Sequence, residues 1–206
     1  MKIIQLEVGN LGVNCYIVYC EQTRKAVIID PGGDAAAIIG AVNQEGLQVE
    51  HIINTHGHAD HIAANDAVKQ ATGATVLIHT EDADMLINKQ LNLSAFMGPG
   101  FVCSPANRLL QDGENIECGT VQLQILHTPG HTPGGISLKT KDAVFSGDTL
   151  FAESVGRTDF PGGSYNQLVQ SIQDKLMVLP DEMTVYPGHG PQTTIGWERK
   201  MNPFIR

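Results

Sequence analysis

The stretch Thr55-His56-Gly57-His58-Ala59-Asp60-His61 sets four metal-ligating side chains within six positions and directly follows the apolar run His51-Ile52-Ile53-Asn54. A helical zinc motif places its histidines at i and i+4 around a glutamate. Here His56, His58 and His61 fall at i, i+2 and i+5 with a glycine between the first two. That spacing suits a loop leaving a strand, which can turn two side chains one way and two another. The string therefore reads as halves of two neighbouring metal sites, each to be completed from elsewhere in the chain.

The rest of the chain can supply what is missing. Candidate ligands recur in three glycine-bearing turns: Thr128-Pro129-Gly130-His131-Thr132-Pro133-Gly134, Ser146-Gly147-Asp148-Thr149 and Tyr186-Pro187-Gly188-His189-Gly190. Each follows a strand candidate. Proline and glycine make stiff, tight turns that fix a side chain at a sheet edge, as a preorganised ligand shell requires. With His56, His58, Asp60, His61, His131, Asp148 and His189 there are seven candidate ligands. A carboxylate can bridge two cations, so seven side chains with one shared aspartate suit a dinuclear centre. His51, His79 and His127 read as ordinary histidines, His127 being at most a supporting residue for His131.

Periodicity gives an alternation of strands and helices, hence an α/β protein. Residues 2–8 and 15–20 read as a hairpin turned at Gly9-Asn10-Leu11-Gly12, and 25–30 as a buried strand stopped by Pro31-Gly32-Gly33. Asp34 is placed to cap a helix over 35–44. Strand 51–54 leads into the histidine string, and helices are expected over 62–71, 81–88, 165–178 and 194–200. Further strands are expected over 75–78, 121–126, 135–139, 143–146 and 184–186. The segment 89–107 has weak periodicity but carries Leu91, Leu93, Phe96, Met97 and Phe101 around Gly98-Pro99-Gly100. It reads as a long loop, either a flap over the core or an apolar lid beside the site.

At 206 residues the chain is expected to form a single domain, 1–206, with a hydrophobic content of 42% and 17% charged residues typical of a globule. No apolar run reaches the roughly 20 residues that span a bilayer, and the first residues carry no secretory pattern. Those readings lead us to expect a cytoplasmic protein without membrane association. Cys15, Cys20, Cys103 and Cys118 include no C-x-x-C pair and are expected to be reduced core residues. A formal net charge of −9 argues against nucleic acid as a partner.

The HxHxDH string, the later His131, the Gly147-Asp148 turn and the final Gly188-His189 resemble the metallo-β-lactamase superfamily over nearly the whole chain. Gly147-Asp148-Thr149-Leu150-Phe151, Gly156-Arg157-Thr158-Asp159-Phe160, Gly188-His189-Gly190-Pro191 and Asn202-Pro203-Phe204 look like its short glyoxalase II-like (hydroxyacylglutathione hydrolase-like) members. The resemblance implies a four-layer αββα sandwich, two mixed sheets flanked by helices. It implies His56, His58 and His131 on one metal, Asp60, His61 and His189 on the other, Asp148 bridging, and Asp30 supporting the histidine loop. The best-known β-lactamase subclass has a cysteine where this chain has Asp148, which argues against antibiotic hydrolysis.

The expected activity is thus hydrolysis of a small-molecule thioester, S-lactoylglutathione or a related acyl thioester, with two divalent metal ions. Zinc is the first choice, and iron or manganese suits the same donors. Two cations make a hydroxide nucleophile available near neutral pH, with Asp60 orienting it. A monomer or homodimer is expected. A persulfide dioxygenase, with one iron on His56, His131 and Asp148, is the first alternative. That family also carries the Gly-Arg-Thr-Asp-Phe stretch, but has alanine where this chain has Gly188. A lactonase or a non-catalytic metal-binding protein is a further alternative. Two-domain glyoxalase II enzymes hold glutathione with a basic residue after the motif glycine and with a C-terminal helical domain. The chain keeps the cation as Arg157 but is expected to lack that domain. Arg157 is therefore a candidate for a substrate carboxylate, its alternative being an ion pair with Asp159.

Overall fold

Strand β2 (Val13–Tyr19) shows how the layers arise, because all seven of its residues are buried. Val13, Cys15, Ile17 and Tyr19 face one apolar cluster, while Tyr16 and Val18 face another. A strand with apolar side chains on both pleat faces is stable only with a covering layer on each side. In the computed structural model, which describes residues 1–205, helices cover one face and a second sheet covers the other.

The first sheet has the order β1-β2-β3-β4-β5-β6, with β1 (Lys2–Val8), β3 (Lys25–Ile29), β4 (Gln48–Ile53), β5 (Thr75–His79) and β6 (Arg108–Leu110). β1 to β3 pair antiparallel and β3 to β6 parallel, so the sheet is mixed. The second sheet comprises β7 (Asn115–Cys118), β8 (Val121–His127), β9 (Ile136–Lys139), β10 (Ala143–Gly147), β13 (Thr184–Pro187) and β14 (Thr193–Thr194), in the order β14-β13-β10-β9-β8-β7. Between the sheets lie Tyr16, Val27, Ile29, Ile53 and Leu77 from one side and Leu123, Ile125, Ile136, Leu138 and Phe145 from the other. The outer face of the first sheet packs on α1 (Ala35–Gln44) and α3 (Asn65–Thr72) through Ile38, Val42 and Val68. That of the second packs on α5 (Tyr165–Ser171) and α6 (Ile195–Met201) through Leu168 and Ile195. The result is the expected four-layer αββα sandwich.

Strand direction decides where the chemistry collects. β3 and β4 run parallel, so Asp30 and the string from Thr55 leave the first sheet at one edge. In the second sheet β8 and β10 each pair antiparallel with β9, and β10 pairs parallel with β13. The carboxyl ends of β8, β10 and β13 therefore share an edge, and the turns after them carry His131, Asp148 and His189. Open sheets bind ligands beyond the carboxyl ends of their parallel strands for this reason.

Several local expectations need correction. The helix expected over 62–71 is broken into α2 (Ala59–Ile62) and α3, so Asp60 and His61 sit on one helical turn and not on an open loop. The break is held by a reciprocal amide pair: Asn65 Nδ2 donates to Asn54 Oδ1 at 2.8 Å and Asn54 Nδ2 to Asn65 Oδ1 at 3.1 Å. Asp34 does not cap α1 with its side chain. Its carboxylate accepts from Gly9 N at 2.8 Å, while its carbonyl accepts from Ala37 and Ile38. The helix expected over 81–88 is a 3-10 turn at Thr80–Asp82 followed by α4 (Ala83–Leu86). That over 165–178 ends its α-helical part at Ser171 and continues as a π turn over Ile172–Leu176. Strands β6 and β7 and the hairpin of β11 (Leu150–Phe151) with β12 (Ser154–Val155) had no sequence counterpart. All four cysteines are buried and free, and no helix among the described residues is long and apolar enough to cross a membrane.

Candidate metal centre

The seven candidate ligands converge at this shared edge. His58 Nδ1 and His131 Nε2 face each other 3.0 Å apart, and the His56 ring lies 4.7 Å from each of theirs. His189 Nε2 lies 3.2 Å from Asp60 Oδ2, which is 3.7 Å from His61 Nε2. Asp148 lies between the two groups: Oδ1 is 3.4 Å from His61 Nε2, while Oδ2 is 3.6 Å from His131 Nε2 and 3.8 Å from His189 Nε2. Three sets have donor atoms within 4.8 Å of one another: His56, His58, His131; His56, His61, Asp148; and Asp60, His61, His189. The middle set joins the other two.

Hydrogen bonds fix which nitrogen each imidazole turns inward. His61 Nδ1 donates to Asp30 Oδ2 at 3.0 Å, and His131 Nδ1 donates to the Arg157 carbonyl at 2.7 Å. Both Nε2 atoms are thereby left as acceptors, the arrangement metal-ligating histidines adopt. Asp30 is itself braced by Thr55, whose amide reaches Oδ1 at 2.7 Å and whose hydroxyl reaches Oδ2 at 2.6 Å. Among the described residues, three buried side-chain atoms have no hydrogen-bond partner: His56 Nε2, His61 Nε2 and Asp148 Oδ1. An orphaned buried polar atom costs about 1–3 kcal/mol. Three of them pointed at one another, in a donor set of imidazole nitrogen and carboxylate oxygen, fit divalent cations.

Electrostatics divides the cluster. Burial, then the neighbouring imidazoles, pushes His56 far down, and burial with His131 pushes His58 down to about 3. Burial also opposes a charge on His61, but the carboxylates of Asp148, Asp60 and Asp30 outweigh it and hold His61 well above its ordinary value. Burial disfavours the carboxylates of Asp60 and Asp148, yet His61 beside them holds both below the usual range. His56 and His58 are thus neutral imidazoles, whereas His61 carries a proton between anionic carboxylates, one that a cation bound there would displace.

Two close approaches explain glycines in the motif turns. A Cβ on Gly188 would lie 2.2 Å from Asp148 Oδ1 and 2.8 Å from His61 Cε1, and one on Gly57 would lie 2.4 Å from Met85 Cβ. The turn carrying His189 is further tied down by Asn14, whose Nδ2 donates to the carbonyls of Pro187 and Gly190 at 3.0 and 2.9 Å.

Sequence reasoning missed Asp82. Its buried carboxylate accepts from Gly57 N at 3.1 Å, Thr132 Oγ1 at 2.8 Å and Gly134 N at 2.6 Å, so it clamps the His56/His58 loop to the His131 turn. Burial raises its pKa. The Arg157 carbonyl that orients His131 was also missed. The Arg157 guanidinium is bidentate to Asp159, Nε to Oδ1 and Nη2 to Oδ2 both at 2.7 Å, and lies 3.8 Å over the Phe160 ring. His127 stays outside the cluster, stacked on His79 at 4.0 Å with Nε2 on the Pro133 carbonyl. A cleft of about 720 Å³ opens on His58, Asp60, His131, Asp148 and His189 and is otherwise walled by residues including Leu93, Phe96, Met97, Phe151, Arg157 and Phe160. The 89–107 segment therefore contributes the wall beside the site.

Comparison with known proteins agrees with this geometry. Residues 8–189 match the family model of the metallo-beta-lactamase superfamily. The hydroxyacylglutathione hydrolase GloC of Haemophilus influenzae is 36% identical, the match covering 100% of this chain and 98% of that protein. Among solved structures, the BLEG-1 B3 metallo-beta-lactamase superposes with a TM-score of 0.94 at 40% identity, covering 99% of each chain. ETHE1 from Myxococcus xanthus gives 0.85 at 35%, covering 98% of this chain and 84% of that one. TTHA1623 in a di-iron-bound form also gives 0.85 at 35%, covering 98% and 99%.

Proposed function

The chain belongs to the metallo-β-lactamase superfamily, and from that premise we propose that it is a dinuclear metal-dependent hydrolase of acyl thioesters, S-lactoylglutathione or a related compound. The observation that carries this reading is the convergence of seven donors around three buried, unpartnered atoms. His56, His58 and His131 would hold one cation, Asp60, His61 and His189 the other, and Asp148 both. Zinc suits the donors best, although iron and manganese accept the same set, and TTHA1623 is described in a di-iron-bound form. Bound there, divalent cations lower the pKa of water towards 7 and polarise a carbonyl oxygen.

The chain's own residues do the rest. Asp60 opens on the cleft with its Oδ2 next to His189, placed to accept a hydrogen bond from the attacking water and orient it, while the proton that water gives up ends on the departing thiolate. Water oxygen bonds to the acyl carbon, the C–S bond breaks with its electron pair going to sulfur, and acid and thiol leave. A thiol of pKa about 8.5 departs without a strong general acid. That agrees with a cleft wall that, among the described residues, includes no lysine, tyrosine or cysteine.

The likeness to ETHE1 supports keeping a mononuclear iron persulfide dioxygenase on His56, His131 and Asp148 as the second reading. The test follows thiol release from S-lactoylglutathione with native and chelator-stripped protein, alongside oxygen uptake on glutathione persulfide. Metal-dependent thiol release without oxygen uptake is expected. Oxygen uptake without thiol release, or hydrolysis of a β-lactam instead of the thioester, would overturn the reading.

A further inference from the structure

Beyond the ligand cluster the cleft wall is largely apolar: Leu93, Phe96 and Met97 come from the 89–107 segment, Phe151 and Val155 from the β11/β12 hairpin, and Phe160 from the chain after Arg157. Phe96 and Met97 are 78% and 60% exposed, large apolar side chains left in water at the mouth of a catalytic cleft. Contiguous exposed apolar surface beside a site marks where a ligand is covered. The surface continues past them, since a second hollow of about 580 Å³ shares Leu11, Ala59, Asp60 and Met97 with the first.

Charge gives the complementary observation. Arg157 is the one lysine or arginine among the described residues lining either hollow. The Nε/Nη2 edge of its guanidinium is spent on Asp159, and its face lies on Phe160. A substrate carboxylate that took the same side-on bidentate grip would have to displace a partner two residues away, whose effective concentration is high, and one approaching from the Nη1 side would meet a cation already neutralised by the Asp159 carboxylate. The chain around it carries a formal charge of −9, which two divalent cations would not neutralise. Glutathione, by contrast, presents two carboxylates and little apolar surface.

We propose that this cleft recognises its thioester through an uncharged apolar arm laid along Phe96, Met97 and Leu11, and not through anion recognition. The inference rests on the thioester-hydrolase reading and names the substrate class of that same site. Glutathione thioesters are then turned over through the shared acyl chemistry, held weakly.

The test uses the native full chain and two series of thioesters read by thiol release: acetyl, butyryl, hexanoyl and octanoyl esters of N-acetylcysteamine, an uncharged thiol, and the same acyl groups on glutathione. A third set, lactoyl esters of alkyl thiols of increasing length, shows which side of the thioester lies on the apolar wall. Along at least one apolar series kcat/KM should climb about three- to fourfold per buried CH₂, the increment that apolar transfer supplies, mainly through a falling KM. Affinity for the matching non-hydrolysable thioethers, measured by calorimetry, should rise in parallel. The double substitution Phe96→Ala, Met97→Ala removes exposed side chains and should flatten both trends. Turnover of glutathione thioesters with flat or falling apolar series would overturn this inference while sparing the hydrolase reading. Failure to cleave any thioester would overturn both.

Discussion

Removing the Asp82 carboxylate should loosen the metal centre without touching a ligand. In Asp82→Ala three buried donors lose their acceptor: the amides of Gly57 and Gly134 and the Thr132 hydroxyl. The hydroxyl can rotate to another partner, but the two amides are fixed by their turns. At about 1–3 kcal/mol for each stranded amide, the loss is roughly 2–6 kcal/mol. Relief of burying a carboxylate, the effect that raises its pKa, offsets part of it. A net destabilisation of about 2–4 kcal/mol is expected, read as a lower urea midpoint at unchanged m-value in the presence of chelator. Asp82 joins the loop of His56 and His58 to the turn of His131, so affinity for the first equivalent of metal should also fall, by about 10–100-fold. Asp82→Asn keeps the volume but puts an amide donor opposite one of the donors, and should lose nearly as much.

The same group sets a pH dependence. Because folding raises the Asp82 pKa, the native state binds this proton more readily than the unfolded chain does. Its contribution is therefore most favourable at low pH and diminishes as pH rises from the unfolded carboxylate value, about 3.9, through the raised native one. The Asn variant should lack that component. A midpoint and a metal affinity for Asp82→Ala both equal to those of the parent would refute the clamp.

Three further outcomes follow from the site geometry. Asp148→Ala should lower metal occupancy at both positions, whereas His189→Ala should mainly weaken one; elemental analysis after dialysis distinguishes them, and full retention of two metals in Asp148→Ala would contradict the bridging role. Gly188→Ala places a methyl 2.2 Å from Asp148 Oδ1, well inside van der Waals contact, and should cut turnover at least tenfold while circular dichroism stays unchanged. Arg157→Ala, whose guanidinium is engaged with Asp159, should raise KM for S-lactoylglutathione less than threefold and leave kcat nearly intact; steady-state kinetics checks this, and a KM increase of tenfold or more would show that the cation binds substrate.

What the sequence disclosed, and what it did not, follows from where each signal resides. The seven candidate ligands could be read because residue type, glycine-bearing turns and preceding apolar runs are all local. β3 was legible as a buried strand from its apolar run, whereas the four layers rested on the family resemblance, because the alternation read in the opening hairpin does not disclose that all of β2 is buried. β6 and β7 went unseen because they are short and carry Arg108, Asn115 and Glu117, with only Leu110 buried in the first and alternate residues in the second. The break after Ile62 depends on Asn54 meeting Asn65, a pairing fixed by tertiary contact and invisible to helical periodicity. Asp82 looks like any acidic residue near a helix start, and its role arises only when the His131 turn is packed against it. The Arg157 carbonyl has no residue-type signature at all. The Arg157–Asp159 pair was foreseen as one of two alternatives, and the structure contains that pair.

The central claim is that two cations, held by these seven side chains, support thioester cleavage. The most direct measurement is a titration of chelator-stripped protein with zinc, recording thiol release from S-lactoylglutathione and oxygen consumption with glutathione persulfide at each step. The account predicts thiol release that rises to a plateau at two equivalents per chain, with no oxygen uptake when iron replaces zinc. Activity saturating at one equivalent of iron, with persulfide-dependent oxygen uptake and no thiol release, would contradict it.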